Sequence, residues 1–345
     1  MSAAEPLKIA VVGAGPSGVS TAFCIQENVP DAIVTIIADK FSPNTTGDCA
    51  AGMIVPHLLG TTPVEDIKRW QRTTMTYGID LFRTEEAAEA GVQIISGNWL
   101  WNQDTESETM ADYHDVLLGF RSASVSELLQ YEGVEFQEAF TFSSILIECV
   151  KYLPWLTKKF VNKGGKTLQR KVESLDELFE DYDLVVNCSG IGARGLGDDD
   201  VTPIRGQVMR VRAPWMKQFT VLNDGDFFIL PVTDGTVVLG ATHQWDNWNT
   251  EPNAEDRDRI LQNCHRLVPS LKAAPVVSEW VGLRPYRHCV RLETEKRVVN
   301  GNQKMVVHNY GHGGAGVCLS WGCALDAAEL VRKALDESLV NCNKE

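Results

Sequence analysis

The first apolar positions of the chain run without alternation. Ile9-Ala10-Val11-Val12 is a continuous hydrophobic stretch that stops at a glycine, the pattern of a strand covered on both faces. The glycine-rich turn Gly13-Ala14-Gly15-Pro16-Ser17-Gly18 follows, then helical composition from Val19 to Glu27, then a β-rich run, Ile33-Val34-Thr35-Ile36-Ile37, ending at Ala38-Asp39. Strand, glycine turn, helix and strand make one βαβ unit. Asn44 to Gly52 is small and polar and reads as a loop, and Pro63 to Leu129 mixes helical stretches with aromatics. Further on, the pattern predicts a helix over Tyr152–Asn162 and strands over Leu168–Val172 and Asp183–Cys188. From Ile204 to His243 it turns to alternation, the mark of an antiparallel sheet with one covered face. There, Phe228–Val232 and Thr236–Ala241 flank Thr233-Asp234-Gly235, a hairpin signal. A helix over Asp256–Leu267, a strand over Met305–His308, glycines from Gly311 to Gly316 and a helix from about Trp321 to Leu335 complete the reading. Nucleotide-type elements thus recur at the start, middle and end, which implies two domains that each use several chain segments.

Composition narrows the function. A length of 345 residues suits two domains, three at most. The hydrophobic fraction of 44% and charged fraction of 23% are those of an ordinary globular protein. No apolar run approaches the ~20 residues of a membrane span, and Met1 to Lys8 lacks the basic-then-apolar order of a signal peptide. The net charge of -14 argues against nucleic acid or an anionic membrane as partner. Nine cysteines without a C-x-x-C pair read as reduced thiols. Cys318 and Cys323, the closest pair, have no clustered ligands, so no metal site is expected.

Gly13, Gly15 and Gly18 form G-x-G-x-x-G between a strand and a helix. The first glycine permits the tight turn, the second lets backbone approach a pyrophosphate, and the third lets helix and strand pack closely. The helix N-terminus then offers free N–H groups to phosphate. Asp39, 21 residues after Gly18, ends the next strand, where a carboxylate accepts the ribose hydroxyls of an ADP moiety. This much does not separate FAD from NAD. A second match, Gly190-Ile191-Gly192-Ala193-Arg194-Gly195, follows another strand, but Asp198-Asp199-Asp200 and Pro203 come next. With no amphipathic helix and a run of carboxylates there, a second dinucleotide site for NADPH is excluded.

The segment Val306-Val307-His308-Asn309-Tyr310-Gly311-His312-Gly313-Gly314-Ala315-Gly316 resembles the D-amino-acid oxidase family. So do Asp39-Lys40-Phe41-Ser42-Pro43, Val186-Asn187-Cys188-Ser189-Gly190, Arg205-Gly206-Gln207 and Gly282-Leu283-Arg284-Pro285, and the likeness runs the length of the chain. Gly52-Met53-Ile54-Val55-Pro56-His57 looks closer to the D-aspartate oxidase branch. The resemblance implies a non-covalent FAD and oxidation of a D-amino acid to an imino acid. Hydrogen peroxide forms from oxygen, and hydrolysis yields a 2-oxo acid and ammonia. The architecture expected is α/β: a Rossmann-type FAD-binding domain (residues 1–58, 150–200 and 300–345) with a second, mostly antiparallel-sheet substrate domain (59–149 and 201–299), both discontinuous. Gly313 and Gly314 bring bare backbone to the flavin, with N–H donors toward the charge that builds on reduction. Beside Gly13, Ala14, Gly15, Gly18 and Asp39, the resemblance implies Lys40, Thr45, Thr46, Gly47, Gly52, Met53, Val172, Ser189, Gly316 and Val317 as cofactor-binding residues.

The same resemblance places Arg284 opposite the flavin, holding the substrate α-carboxylate, and the carbonyl of Gly314 on the substrate amino group. A guanidinium forks onto a carboxylate and fixes both distance and orientation. Holding Cα over the ring is then the protein's main task. The chain departs from the family at four places. Phe228 stands where a Tyr is common, Val221 and His243 stand where acid-specific members carry Arg, and Gly314 stands where those members tend to have Ser. An acidic side chain would then be met by His243 or His57, helped by protonation near neutral pH; both histidines also read as solvent-facing loop residues. Oxidation of acidic D-amino acids, D-aspartate first and D-glutamate also, is the expectation. Oxidation of neutral D-amino acids and a weakly active FAD-binding homologue stand as alternatives. The family's usual compartment is the peroxisome, but the chain reads Asn343-Lys344-Glu345 where a Ser-Lys-Leu-type signal would stand, which leaves cytoplasm open. Oligomeric state is undecided.

Overall fold

The computed structural model describes residues 6–102, 112–131, 133–223 and 225–342, with side chains through residue 337. Met1 to Glu5 and the terminal Asn343-Lys344-Glu345 lie outside the described residues.

The parallel half is built from β1 (Lys8–Val12), β2 (Ile33–Ala38), β6 (Lys166–Gln169), β7 (Leu184–Asn187) and β14 (Asn302–His312). Their order is β14-β7-β1-β2-β6, all parallel. Ile9, Val11, Ile36 and Val186 are wholly buried, as the unbroken apolar runs require of strands covered on both faces. Helix α1 (Pro16–Asn28) packs against α3 (Cys149–Asn162) and α5 (Ser320–Cys342), and α5 also packs on α2 (Val64–Phe82). The α2–α5 approach is close. A Cβ on Gly322 would lie 2.4 Å from Trp70 Cα, and the Gly322 N–H donates to Thr74 Oγ1.

The second half is mostly antiparallel. It contains β3 (Val92–Trp101), β4 (Leu118–Ser122), β5 (Glu138–Ile147), β8 (Thr202–Arg212), β9 (Phe219–Leu222), β10 (Phe227–Pro231) and β11 (Thr236–Gly240). The order is β4-β5-β3-β9-β10-β11-β8, with the short β12 (Gln244–Trp245) also on β8. Among the described residues of this half, only β3 and β9 pair in parallel. The β10–β11 hairpin turns at Thr233-Asp234-Gly235, where Asp234 Oδ1 accepts from the Thr236 N–H and hydroxyl and Gly235 takes φ +79°. Helix α4 (Ala254–Leu267), capped by Asn253 accepting from the Asp256 N–H, buries Ile260, Cys264 and Leu267 against this sheet. That i, i+4, i+7 spacing is one helical face.

One strand joins the halves. β13 (Val276–Val299) pairs with β8 along its first part and with β14 along its second, with an irregularity between Tyr286 and Arg291. Its many charged residues hid it from a hydrophobic reading. The strand expected over Leu168–Val172 is instead Lys166–Gln169. It is an exposed edge, so its bounds follow register with β2, which ends at Ala38↔Gln169, and not its own apolar residues. The C-terminal helix runs past the expected Leu335 to Cys342. Among the described residues no helix is long and apolar enough to cross a membrane, and no His/Cys/Asp/Glu cluster suits a metal ion.

Candidate active site

A cavity of about 1050 Å³ lies between the halves. Its nucleotide end is the turn between β1 and α1. Gly13 takes φ +111° and a Cβ there would meet the Cys188 carbonyl oxygen at 2.3 Å; a Cβ on Gly18 would meet Gly13 O at 2.0 Å. Gly15 has nothing within 4 Å of that position, so its bare Cα faces the void. No side chain caps α1, and Pro16 opens its first turn, which leaves backbone donors for a ligand. Asp39, Lys40, Thr46, Gly47, Met53, Val172, Gly316 and Val317 line the same cavity. Two of the hydroxyls there are already committed as donors. Thr45 Oγ1 donates to the buried Asp48 within a capping box, and Ser189 Oγ donates to Asn187 Oδ1 at 2.6 Å. Both retain only lone pairs for a ligand. His312 Nε2 and Asn309 Oδ1, buried at the cavity wall, have no partner within the described residues. Bare backbone at Gly15, an uncapped helix end and polar atoms awaiting partners fit an FAD.

At the other end stands Arg284. Among the described residues its guanidinium makes one hydrogen bond, Nη1 to Thr242 O at 2.9 Å. Burial works against its charge, and no carboxylate of the described residues offsets that. Arg205 shows the contrast. It is 1% exposed, and its guanidinium donates to Asn249 O, Gln244 Oε1, Asp256 Oδ2, Gln207 Oε1 and Glu251 O. Arg205 is structural and fully satisfied; Arg284 is an enclosed cation with donors to spare, a seat for an anion. Sequence reading missed what holds it. A Cβ on Gly206 would fall 2.3 Å from Arg284 Nη1 and 2.6 Å from Cζ, so only glycine leaves room for the guanidinium. Gly206 is opposite Gly282 in the β8–β13 register, a pairing that no local pattern encodes.

The remaining wall is apolar. Phe228 on β10 faces Val221 on β9, Val221 faces Trp99 on β3, and Leu230 and Met53 complete it. The Phe228 ring rests on Gly240, where a Cβ would meet it at 2.4 Å. His57 and His243 line the cavity together, Nε2 to Nε2 at 3.1 Å. They are therefore not solvent-facing loop residues, and because the fold by itself disfavours charge on them, protonation near neutral pH requires a negative charge beside the rings. Burial first, then the Arg284 charge, push both rings downward, His57 to about 3 and His243 to about 2, which favours the neutral imidazoles. Gly314 abuts the pair: a Cβ there would lie 2.5 Å from His57 Cδ2, which excludes a serine without displacing the ring. Of the residues read from sequence as the site, Gly18 alone stands back from the cavity, packing α1 onto the turn.

A glycine turn shaped for phosphate and an anion seat without a carboxylate partner among the described residues open on one cavity, the arrangement of a protein that holds a nucleotide cofactor beside an anionic ligand. Residues 8–330 match the DAO family, FAD dependent oxidoreductase, and the chain belongs to that family. It is 46% identical over 332 residues to D-aspartate oxidase of Homo sapiens, across 96% of each chain. It is 38% identical over 335 residues to D-amino acid oxidase of Dugesia ryukyuensis, across 95% of this chain and 98% of that one. Among solved structures, glycine oxidase from Geobacillus kaustophilus shares the fold, with a TM-score of 0.77 at 19% identity over 95% of each chain. The chain is an FAD-dependent flavoenzyme.

Proposed function

We propose that this enzyme oxidises acidic D-amino acids, D-aspartate first and D-glutamate also, to the 2-oxo acid, ammonia and hydrogen peroxide. The amino-acid part of the reading is carried by the Arg284 guanidinium, which has no carboxylate partner among the described residues, and the acidic preference by the 46% identity to human D-aspartate oxidase. Bound FAD supplies acceptance of a hydride from the substrate Cα and its delivery to oxygen. The protein's share is orientation. Arg284 forks onto the α-carboxylate, and the Gly314 carbonyl accepts from the amino group. Phe228, Val221, Leu230 and Trp99 keep water from the reacting carbon, and His57 and His243 meet the side chain. The cofactor is held by Gly13, Ala14, Gly15, Asp39, Lys40, Thr45, Thr46, Gly47, Gly52, Met53, Val172, Ser189, Gly313, Gly314, Gly316 and Val317, with Gly18 supporting the turn. Residues 1–58, 150–200 and 300–345 act as the cofactor domain in this reading, the rest as the substrate domain.

A second reading, oxidation of neutral D-amino acids, is favoured by the apolar wall and the two uncharged imidazoles. Anaerobic mixing of the yellow holoenzyme with D-aspartate, D-alanine and L-aspartate, followed at about 450 nm where oxidised flavin absorbs, separates them. Bleaching by D-aspartate far faster than by D-alanine is expected. Bleaching by D-alanine alone would favour the neutral reading, and no bleaching by any D-amino acid would overturn both.

A further inference from the structure

His57 and His243 come from distant segments, the loop after Pro56 and the residues just past β11, yet their rings meet edge to face. At 3.1 Å the two Nε2 atoms share one proton, because two bare lone pairs do not face each other at hydrogen-bond distance. One ring therefore donates through Nε2 and has a bare Nδ1; the other accepts through Nε2 and carries its proton on Nδ1. The pair has room for one more proton, on that bare Nδ1.

Among the described residues the charges that act on the pair are positive. Arg284 on β13 acts on both rings, and Arg259 on α4 acts on His243. Cys49, the thiol beside Arg284, is pushed up to about 12 by burial and so is uncharged. The loop leading into β10 brings Gly225 to 3.9 Å of His57 Cε1, measured from an ideal Cβ, and the carboxylate of Asp226 in that loop accepts from Asn223 Nδ2. Asp224 lies outside the described residues. No described carboxylate bonds to either ring. An α-carboxylate seated on Arg284 cancels the larger of these positive charges, and a second carboxylate beside the rings favours the charged form.

We propose that the His57–His243 pair is the side-chain selectivity element of this site, accepting a second carboxylate only together with one proton. A substrate with an acidic side chain then binds with proton uptake, and one with a neutral side chain binds without it. The inference rests on the oxidase reading above, and unreactive acids separate the two. Succinate carries both carboxylates of aspartate without the amino group, and propionate carries one.

Titration calorimetry of the holoenzyme, in buffers of differing ionisation enthalpy over about pH 6 to about pH 8, counts protons after correction for succinate's own ionisation. The expected result is uptake approaching one proton for succinate toward the acidic end, with Kd rising toward tenfold per pH unit, and none for propionate. The double variant His57→Gln/His243→Gln, checked for bound FAD by its absorbance, should lose the uptake and retain propionate binding. Succinate binding without uptake overturns the inference and leaves the acidic reading standing. Propionate binding with no succinate binding overturns both.

Discussion

Replacing Gly206 by alanine tests how the anion seat is built. The added Cβ would lie 2.3, 2.6 and 2.7 Å from Arg284 Nη1, Cζ and Nη2, all far inside van der Waals contact. The atoms it strikes are the end of a flexible side chain, so the fold relieves the clash by turning the guanidinium away. Stability should then change little, by under about 1 kcal/mol, as for substitutions that leave core and backbone intact. Function should change much more, because the guanidinium loses its 2.9 Å bond to Thr242 O and with it the fork aimed at the substrate carboxylate. Loss of one charge-assisted hydrogen bond, about 1.5–3 kcal/mol, lowers kcat/KM for the preferred D-amino acid about ten- to hundredfold. The assay is steady-state oxygen uptake beside urea unfolding and FAD content, with propionate affinity measured in Gly206→Ala, Arg284→Ala and the double variant. Since Gly206 acts only through Arg284, the double variant should bind propionate no more weakly than Arg284→Ala alone. Full activity in Gly206→Ala, or additive losses in the cycle, would refute the reasoning.

Gly15→Ala should leave the apoprotein's unfolding free energy unchanged, because the new Cβ meets nothing within 4 Å, while FAD affinity falls about tenfold or more, about 1.4 kcal/mol; fluorescence titration with FAD reads it. Arg205→Leu leaves the Asp256 carboxylate without its buried cation and should cost about 3–5 kcal/mol in urea unfolding; a loss below 1 kcal/mol, on the order of a surface change, would contradict the structural role given to it. Acid should destabilise the apoprotein early. His57, His243, His308 and His312 are held at about 3, 2, 4 and 4, all below the ordinary 6.5, with burial the main cause. As pH falls below 6.5 the unfolded chain takes up protons that the folded chain refuses, so stability present above that value is lost on the way down to the folded values. By about pH 5.5 each histidine accounts for about 1.4 kcal/mol, and equal urea midpoints at about pH 7.5 and about pH 5.5 would be incompatible with four buried neutral rings.

The sequence by itself determined what depends on neighbours along the chain. The β1–α1 turn was legible because each glycine answers a constraint within a few residues: a positive φ at Gly13, an open face at Gly15, contact with Gly13 O at Gly18. The β10–β11 hairpin was legible for the same reason, since Asp234 and Gly235 set the turn between their own strands. Unbroken apolar runs marked β1, β2 and β7 because burial on both faces leaves no polar alternation. What tertiary structure alone decided involves residues brought together by sheet pairing. Nothing near Arg284 in sequence says that it lacks a carboxylate among the described residues while Arg205 has one, because their surroundings come from β8, β13, α4 and the residues after β11. Nothing near His57 says that its ring meets His243, 186 residues away, or that burial and a neighbouring guanidinium disfavour charge on both rings. A titration state is set by the summed field and solvation of the folded site, and β13, whose two halves pair with different strands to join the nucleotide and substrate ends, is the element that brings that site into being.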